Sequence, residues 1–287
     1  MPAAGVTRPT TRQGWKRLSE EFAAVGWPDG TWGFAADSGK TVWDSTRPGC
    51  GYDEYLGGKT LVGLTYCADR FEVAQRDPRT GKPSRIAKLP TKVGWAWIAS
   101  SDPLVVAAYE GKERISLDAN RLYTFDESGA IKTMIKVDGY VPDCEDNGGA
   151  VVATNNTVYL ASKRENLISG DHIAAFDADT GRRKWTVDGI DGAEMLPLHT
   201  DEDGLIAYSD AGPTKDGSGV LHLAATDGRQ NLLLRLPNGF AVSDVQSQMA
   251  TRGKKPIVYQ DGRLFFHVTS GFRISSKLPM NLAFTTH

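Results

Sequence analysis

One short phrase recurs five times along the 287-residue chain and limits the folds open to it. Each copy joins an apolar stretch to a second strand-like stretch through a polar turn that contains glycine. The turn glycines are Gly39, Gly81, Gly129, Gly181 and Gly228, with steps of 42, 48, 52 and 47 residues. A pitch of about 40–50 residues is typical of a four-stranded propeller blade. The repeat therefore predicts an all-β fold, a β-propeller.

The chemistry of the repeated turn explains its residues. Asp77, Asp126 and Asp177 each precede a turn glycine by three or four positions. An aspartate side chain accepts hydrogen bonds from turn amides, and glycine adopts a positive φ without steric cost. We expect these residues to be structural and to join neighbouring strands of one blade.

Units of this kind account for most of the chain. Six of them lie near 15–45, 52–90, 95–138, 148–189, 194–237 and 255–285, and the last shows only about three strands. We expect a single domain over 15–287 with about six to seven four-stranded blades, after a Pro/Thr/Arg-rich, disordered lead-in at 1–14. The count leaves open a ring that is incomplete at its N-terminus and has lost an anchor there.

Helix signals are scarce, whereas 31 Gly and 14 Pro fit many short strands joined by turns. The exception is the stretch 15–25, where the spacing of Trp15, Leu18 and Phe22 predicts a short amphipathic turn.

The charge balance excludes some classes of partner. The chain has 33 basic and 35 acidic side chains, a formal net charge of −2, which argues against a nucleic-acid surface. No apolar run approaches the roughly 18–20 residues of a membrane-spanning helix. Residues 1–14 lack the apolar centre of a signal peptide. An unknown protein or a small ligand remains as the partner.

The fourth copy of the repeat carries a family resemblance. Its residues fit the pattern A-x-D-x-x-T-G-x-x-x-W with Ala175, Asp177, Thr180, Gly181 and Trp185. Parts of the same pattern recur as Asp77, Thr80 and Gly81, and as Gly39, Lys40 and Trp43. The chain thus resembles the pyrroloquinoline-quinone-like, or quinoprotein-type, β-propellers, and it is most similar to uncharacterised bacterial extracytoplasmic propeller domains.

The resemblance implies both structural roles and a location. In that family the tryptophan after the glycine docks between neighbouring blades, so Trp43 and Trp185 are expected to do so. Copies three and five lack this tryptophan, and a weaker junction is expected there. Because the similar domains act outside the cytoplasm, an extracytoplasmic or cell-surface location is expected.

Three cysteines bear on the same question. Cys50 and Cys67 flank a Gly/Tyr-rich segment in a plausible strand–loop–strand unit, which favours a disulfide over two buried thiols. A disulfide would place the protein outside the cytoplasm. Cys144 is left over as an unpaired thiol or one that has lost its partner.

The family also contains enzymes, and the sequence departs from them. Quinoprotein dehydrogenases combine a Ca²⁺ site, a catalytic aspartate, a disulfide between adjacent cysteines and a tryptophan platform under the quinone. This chain has no adjacent cysteines and no C-x-x-C-H haem motif. We expect a non-catalytic scaffold for protein–protein interaction or ligand binding. No catalytic, cofactor or metal residues are expected, with a quinone- and calcium-dependent dehydrogenase, or a degenerate fragment of one, as the alternative.

Other polar groups are weak candidates for metal ligands. The acidic runs 143–146 and 201–203 do not follow the twelve-residue calcium loop, and the five histidines lack metal-ligand spacing.

Aromatic side chains offer two interpretations. Trp95 and Trp97 alternate around one residue and so face the same side of a strand. They either fill the core between blades or, with Tyr52 and Tyr55, line a binding face. Long loops near 44–58, 138–149, 163–171 and 210–219 are candidates to build that face.

Overall fold

The structure is a computed structural model that describes eleven stretches of the chain. These are residues 16–17, 21–27, 30–45, 49–57, 60–111, 119–140, 151–162, 171–211, 218–237, 257–267 and 281–285. They are almost entirely β-strand, and one turn of 3₁₀ helix lies at Ile190–Gly192. No helix among them is long and apolar enough to cross a bilayer.

Twenty-three strands follow one another along the described chain. In the N-terminal part they are β1 (Lys16–Arg17), β2 (Phe22–Trp27), β3 (Gly30–Ala35), β4 (Thr41–Ser45), β5 (Cys50–Leu56), β6 (Leu61–Cys67), β7 (Arg70–Arg76) and β8 (Pro83–Lys88). The remainder are β9 (Val93–Ser101), β10 (Leu104–Glu110), β11 (Arg121–Phe125), β12 (Ile131–Lys136), β13 (Val151–Ala153), β14 (Thr157–Ala161), β15 (His172–Asp177), β16 (Arg183–Asp188), β17 (Glu194–Thr200), β18 (Gly204–Asp210), β19 (Gly219–Ala224), β20 (Gln230–Arg235), β21 (Ile257–Gln260), β22 (Arg263–His267) and β23 (Asn281–Thr285).

Consecutive strands pair antiparallel into six sheets, which we number blades 1 to 6: β1–β4, β5–β8, β9–β12, β13–β16, β17–β20 and β21–β23. Blades 1 to 5 have four strands each, and blade 6 has three among the described residues. The six sheets coincide with the six units predicted from the repeat.

The amphipathic turn predicted over 15–25 is wrong where the structure describes it. Phe22–Trp27 forms strand β2, with Phe22 opposite Ala35 and Trp27 opposite Gly30. The three- and four-residue apolar spacing that suggested a helix is overridden because this segment pairs with β3 along its whole length.

Contacts between residues divide the chain into two compact units, 1–91 and 92–287. The first contains blades 1 and 2, and one buried cluster in it comprises Ala24, Trp43, Tyr55 and Leu61. The second contains blades 3 to 6. The expectation of one domain over 15–287 stays a prediction, and the lead-in at 1–14 lies outside the described residues.

Within the second unit, apolar residues of neighbouring blades form shared cores. One cluster joins blades 3 and 4, a second joins blades 4 and 5, and a third joins blades 5 and 6. The second strand of a blade is covered on both faces, which is why β10 reads as the continuous apolar run LVVAAYE. Fourth strands such as β12 and β16 are largely exposed, and polar residues recur along them.

In this unit, the short and the long connections between strands lie at opposite ends of the blades. Antiparallel order places the first–second and third–fourth connections at one end, the turn end, where they span two to five residues. The second–third and blade-to-blade connections leave the opposite end, the loop end. There they are 111–120, 137–150, 162–171, 189–193, 211–218, 236–256 and 268–280. The loop end therefore carries the longer connections.

Candidate functional site

The acidic residues of the repeat serve the turns that contain them. Asp177 Oδ1 accepts hydrogen bonds from the backbone N–H groups of Asp179 (3.1 Å) and Thr180 (2.8 Å). It also accepts one from the Thr180 hydroxyl at 2.9 Å, and these bonds to Thr180 lower the pKa of Asp177. Gly181 follows at φ +70°. Asp77 and Asp126 bond the amides of their own turns in the same way.

Trp43 connects blade 1 to blade 2. Its Nε1–H donates to the Pro78 carbonyl oxygen at 2.8 Å. Its ring covers two glycines: a Cβ at Gly33 would lie 2.1 Å from the ring, and one at Gly81 would lie 2.5 Å from it. The contact joins the fourth strand of one blade to the turn of the next.

Trp185 repeats this arrangement between blades 4 and 5. Its Nε1–H donates to the Ala225 carbonyl oxygen at 3.1 Å, and a Cβ at Gly228 would lie 2.9 Å from the indole. In both cases the tryptophan stands four residues after its own turn glycine and binds the carbonyl three residues before the next one.

The junction of blades 3 and 4 lacks this tryptophan, and the corresponding position is Thr133. Here the equivalent carbonyl, that of Ala178, accepts a hydrogen bond from the buried Thr124 hydroxyl at 2.9 Å. An ion pair between Lys132 and Asp179 supports the contact. A shallow surface depression lined by Pro103, Phe125 and Ala178 lies at the turn end of this junction. A hydroxyl thus replaces the indole as donor.

The predicted disulfide between Cys50 and Cys67 is present, with an S–S distance of 2.07 Å. The two residues lie opposite each other at the ends of β5 and β6. Cys144 lies outside the described residues.

The aromatic side chains proposed for a binding face are placed mainly in cores. Tyr55 is 4% exposed and accepts a hydrogen bond from the Thr31 hydroxyl at 2.8 Å. Trp97 is 3% exposed in the core shared by blades 3 and 4, and Trp95 packs against the same cluster. The side chain of Tyr52 lies outside the described part. These three aromatic groups therefore contribute packing.

The burial of Trp97 also bears on quinone binding. A quinone stacks on an open aromatic face, whereas Trp97 is 3% exposed within the core shared by blades 3 and 4. The sequence has no adjacent cysteines to form the second element of such a site. Trp97 is therefore not an open tryptophan platform of the kind that the resemblance implies for a quinone site.

A charged network at the loop end of blade 3 was not foreseen from the sequence. The Glu110 carboxylate accepts hydrogen bonds from the Tyr123 hydroxyl and from Lys92 Nζ at 3.0 Å. It also pairs with Arg121 Nε at 3.3 Å, while Asn120 bonds both backbone groups of Glu110. Burial opposes ionisation, but the bonds from Tyr123 and Lys92 lower the pKa of Glu110. The network anchors both ends of the connection 111–120.

A second polar group lies at the loop end of blade 4. His172 Nδ1 is 2.9 Å from Asp171 Oδ1, and this contact lowers the pKa of Asp171. The Ser162 hydroxyl also points to Asp171, at 3.4 Å, and not to the imidazole. A nucleophilic serine needs histidine between itself and the carboxylate. The group therefore does not have the order of a serine hydrolase, and Tyr140 packs edge-on against His172.

The acidic run 201–203 is engaged in a turn. Asp201 Oδ1 accepts from the amides of Asp203 (3.0 Å) and Gly204 (2.9 Å) and lies 3.3 Å from His222 Nε2. In the described part of the chain, no three His, Cys, Asp or Glu side chains gather as metal ligands. The run 143–146 lies outside the described residues.

Comparisons with known proteins bear on the fold. No family model and no curated protein matches the sequence. Among solved structures, the chain is similar to the computationally designed Ika8 protein, with 14% identity, TM-score 0.51 and 88% of this chain and 66% of that chain covered. Together with the sheets built from consecutive antiparallel strands, this similarity confirms the all-β propeller class.

Two natural proteins align less closely. BamB from Moraxella catarrhalis shows 17% identity and TM-score 0.46 over 88% of this chain and 65% of that one. A europium-containing methanol dehydrogenase shows 11% identity and TM-score 0.41 over 78% of this chain and 51% of that one. The resemblance to quinoprotein-type propellers rests on the repeat residues of the sequence. The chain spans less than two thirds of the length of these solved relatives.

Proposed function

We propose that the chain is a non-catalytic β-propeller that binds a partner protein through the loop end of blades 3 to 6, outside the cytoplasm. The observation that carries the proposal is the difference in length between the connections at the two ends of the blades. Connections at the loop end reach 21 residues, whereas those at the turn end have at most five. Long surface connections on a rigid scaffold are where proteins place recognition residues.

Residues at the turn end have structural roles, which agrees with a binding role for the loop end. Its aspartates bond their own turns, and Trp185 binds the turn of the next blade. These groups are engaged in holding the scaffold together. The disulfide between Cys50 and Cys67 supports a location in an oxidising compartment.

Two isoleucines of similar exposure provide a matched test. Ile190 lies at the loop end and is 39% exposed, while Ile131 begins β12 beside the turn end and is 36% exposed. A photo-reactive phenylalanine analogue is introduced at each position in turn, and cells are irradiated. We expect cross-linked products from position 190 and none from position 131. Equal products from both positions, or products from 131 alone, would contradict the proposal.

Catalysis and location have their own tests. Reconstitution with pyrroloquinoline quinone and Ca²⁺, followed by a dye-reduction assay over alcohols and sugars, is expected to show no turnover, and turnover would refute the non-catalytic assignment.

Alkylation of thiols in intact cells is expected to leave Cys50 and Cys67 unlabelled. Labelling of both would argue against an oxidising compartment.

A further inference from the structure

Arg76 is the only charged side chain in the buried core of the residues that the structure describes, and it is 4% exposed. It is the last residue of β7 in blade 2, lies opposite Leu61 and directly precedes the turn of Asp77 and Gly81. A guanidinium cannot be deprotonated in proteins, so a full positive charge remains inside the blade. A buried charge is costly unless an opposite charge and hydrogen bonds compensate it.

The contacts of Arg76 leave this charge uncompensated. Its Nη1 donates a hydrogen bond to the Gly81 carbonyl oxygen at 2.8 Å, and its Cζ lies 5.9 Å from the centre of the Tyr55 ring. Its Nε is buried and has no hydrogen-bond partner. A carbonyl oxygen and the face of a ring offer only partial negative charge.

The carboxylates nearest to Arg76 on its own strand and turn are engaged elsewhere. Asp77 Oδ1 accepts hydrogen bonds from the backbone N–H groups of Arg79 at 2.7 Å and Thr80 at 3.1 Å. Glu72 pairs with Lys88 at 3.7 Å. In the described part of the chain, no ion pair joins Arg76 to a carboxylate. Blade 2 thus contains a buried cation without a counter-ion.

The surroundings hold the guanidinium in place. A Cβ at Gly63 would lie 3.2 Å from Arg76 Nε and 2.8 Å from the Tyr55 ring, so both groups occupy the space that a larger residue would take. The Tyr55 hydroxyl is fixed in turn by a hydrogen bond from the Thr31 hydroxyl at 2.8 Å. A positively charged group held by packing in this way is organised before a ligand arrives.

The geometry of the guanidinium selects the ligand. With Nη1 bonded to Gly81, the groups left are Nε and Nη2, which donate from one edge of the planar group. This edge matches the two oxygens of a carboxylate through two parallel hydrogen bonds. One guanidinium also balances the single charge of a carboxylate, whereas a phosphate monoester carries nearly two.

We propose that Arg76, with Tyr55 and Gly81 around it, forms a binding site for a carboxylate group, supplied by a small organic acid or by an acidic side chain of a peptide. The ligand would enter beside the turn 77–82, most of whose residues are exposed. This site does not depend on the partner surface proposed above, which lies on blades 3 to 6.

The test uses the full chain, with acetate as the probe and acetamide as its neutral match of equal shape. Binding is measured by ligand-observed NMR at constant ionic strength, held with chloride. We expect acetate to bind in the millimolar range and acetamide not to bind. Nα-acetyl-aspartate N-methylamide distinguishes the sources: tighter binding than acetate indicates a peptide side chain, and weaker binding indicates a small acid.

Two arginines of the same turn region provide matched variants. Arg76→Met removes the guanidinium at similar length and should weaken acetate binding at least about tenfold, the effect of losing hydrogen bonds between charged groups. Arg76→Lys keeps the charge without the two-pronged edge and should weaken it less. Arg79→Met removes an exposed guanidinium three residues away and should leave binding unchanged.

Urea unfolding separates a binding role from a structural one. Without a counter-ion, removal of the buried charge is not harmful, so Arg76→Met in chloride should have a urea midpoint at least equal to that of the wild type. Acetate should raise the midpoint of the wild type and not that of Arg76→Met, because only the folded wild type binds it. An arginine that serves only the fold would instead give a lower midpoint in Arg76→Met and no response to acetate in either protein.

That last pattern would overturn the site, as would equal binding of acetate and acetamide or equal weakening by Arg76→Met and Arg79→Met. None of these results would alter the cross-linking expected at Ile190, so the two proposals can fail separately.

Discussion

Replacing Trp185 by alanine should destabilise the protein by about 3–5 kcal/mol, the range for removing a large buried aromatic side chain. The side chain is 9% exposed, packs against Tyr159 and covers Gly228 of the next blade. Its hydrogen bond to the Ala225 carbonyl at 3.1 Å contributes about 0.5–1.5 kcal/mol of that loss. Trp185→Phe keeps a ring but removes the donor, so an intermediate loss of about 1–3 kcal/mol is expected.

Equilibrium unfolding in urea measures these losses through the midpoint and the slope of the transition. Thr186→Ala is the matched control because Thr186 is the next residue on β16 and is exposed, so its effect should stay within about 0.5 kcal/mol. If Trp185→Ala shifted the midpoint no more than Thr186→Ala, the tryptophan would not hold blades 4 and 5 together. If Trp185→Phe were as harmful as Trp185→Ala, the ring would have no packing role of its own.

Three further predictions concern other parts of the scaffold. Serine at both Cys50 and Cys67 should cost about 3 kcal/mol because the disulfide closes a loop across 17 positions; labelling of all thiols without reductant would disprove the bond. Gly39→Ala should cost about 1 kcal/mol in backbone strain at φ +65°. Gly228→Ala, at φ +74°, should cost about 1–3 kcal/mol more, since its Cβ would lie 2.4 Å from a neighbouring side chain; equal urea midpoints would count against that contact. The pKa of Glu110 is below its ordinary 4.5 in the folded protein, so its stabilisation is present above the unfolded pKa and is lost as pH falls through the folded pKa. Urea midpoints of the wild type should therefore fall more steeply than those of Glu110→Gln below about pH 5, and parallel curves would contradict this.

The sequence was sufficient for the blades because their signals are local. A turn such as that of Asp177 and Gly181 is specified within five residues, and its recurrence gives the pitch directly. The docking of Trp43 and Trp185 followed from the same repeat through the family resemblance. The expected amphipathic turn failed at Phe22 because strand pairing with β3 is not visible in a three- or four-residue spacing.

The polar groups of the loop end were not predictable in the same way. Glu110 meets Lys92 and Arg121, which lie 18 and 11 positions away, only after three strands have paired. Glu194 and Asp210 are likewise separated by a strand and a turn and become neighbours through the register of β17 and β18. No spacing rule relates such residues, because the length of the strands and the position of bulges decide which side chains face one another.

The two kinds of residue also occupy opposite ends of the blades, and this separation agrees with the proposed function. Asp177, Gly181 and the tryptophan contacts lie at the turn end, where a repeated sequence is needed to fit one blade to the next. At the junction without tryptophan, Thr124 supplies the donor to the Ala178 carbonyl, so the bond at this end is retained even when the residue type changes. At the loop end, the ion pairs of Glu110 with Lys92 and Arg121 lie within one blade. Under the proposed function, substitutions at the loop end would change what is recognised while the junctions at the turn end remain intact.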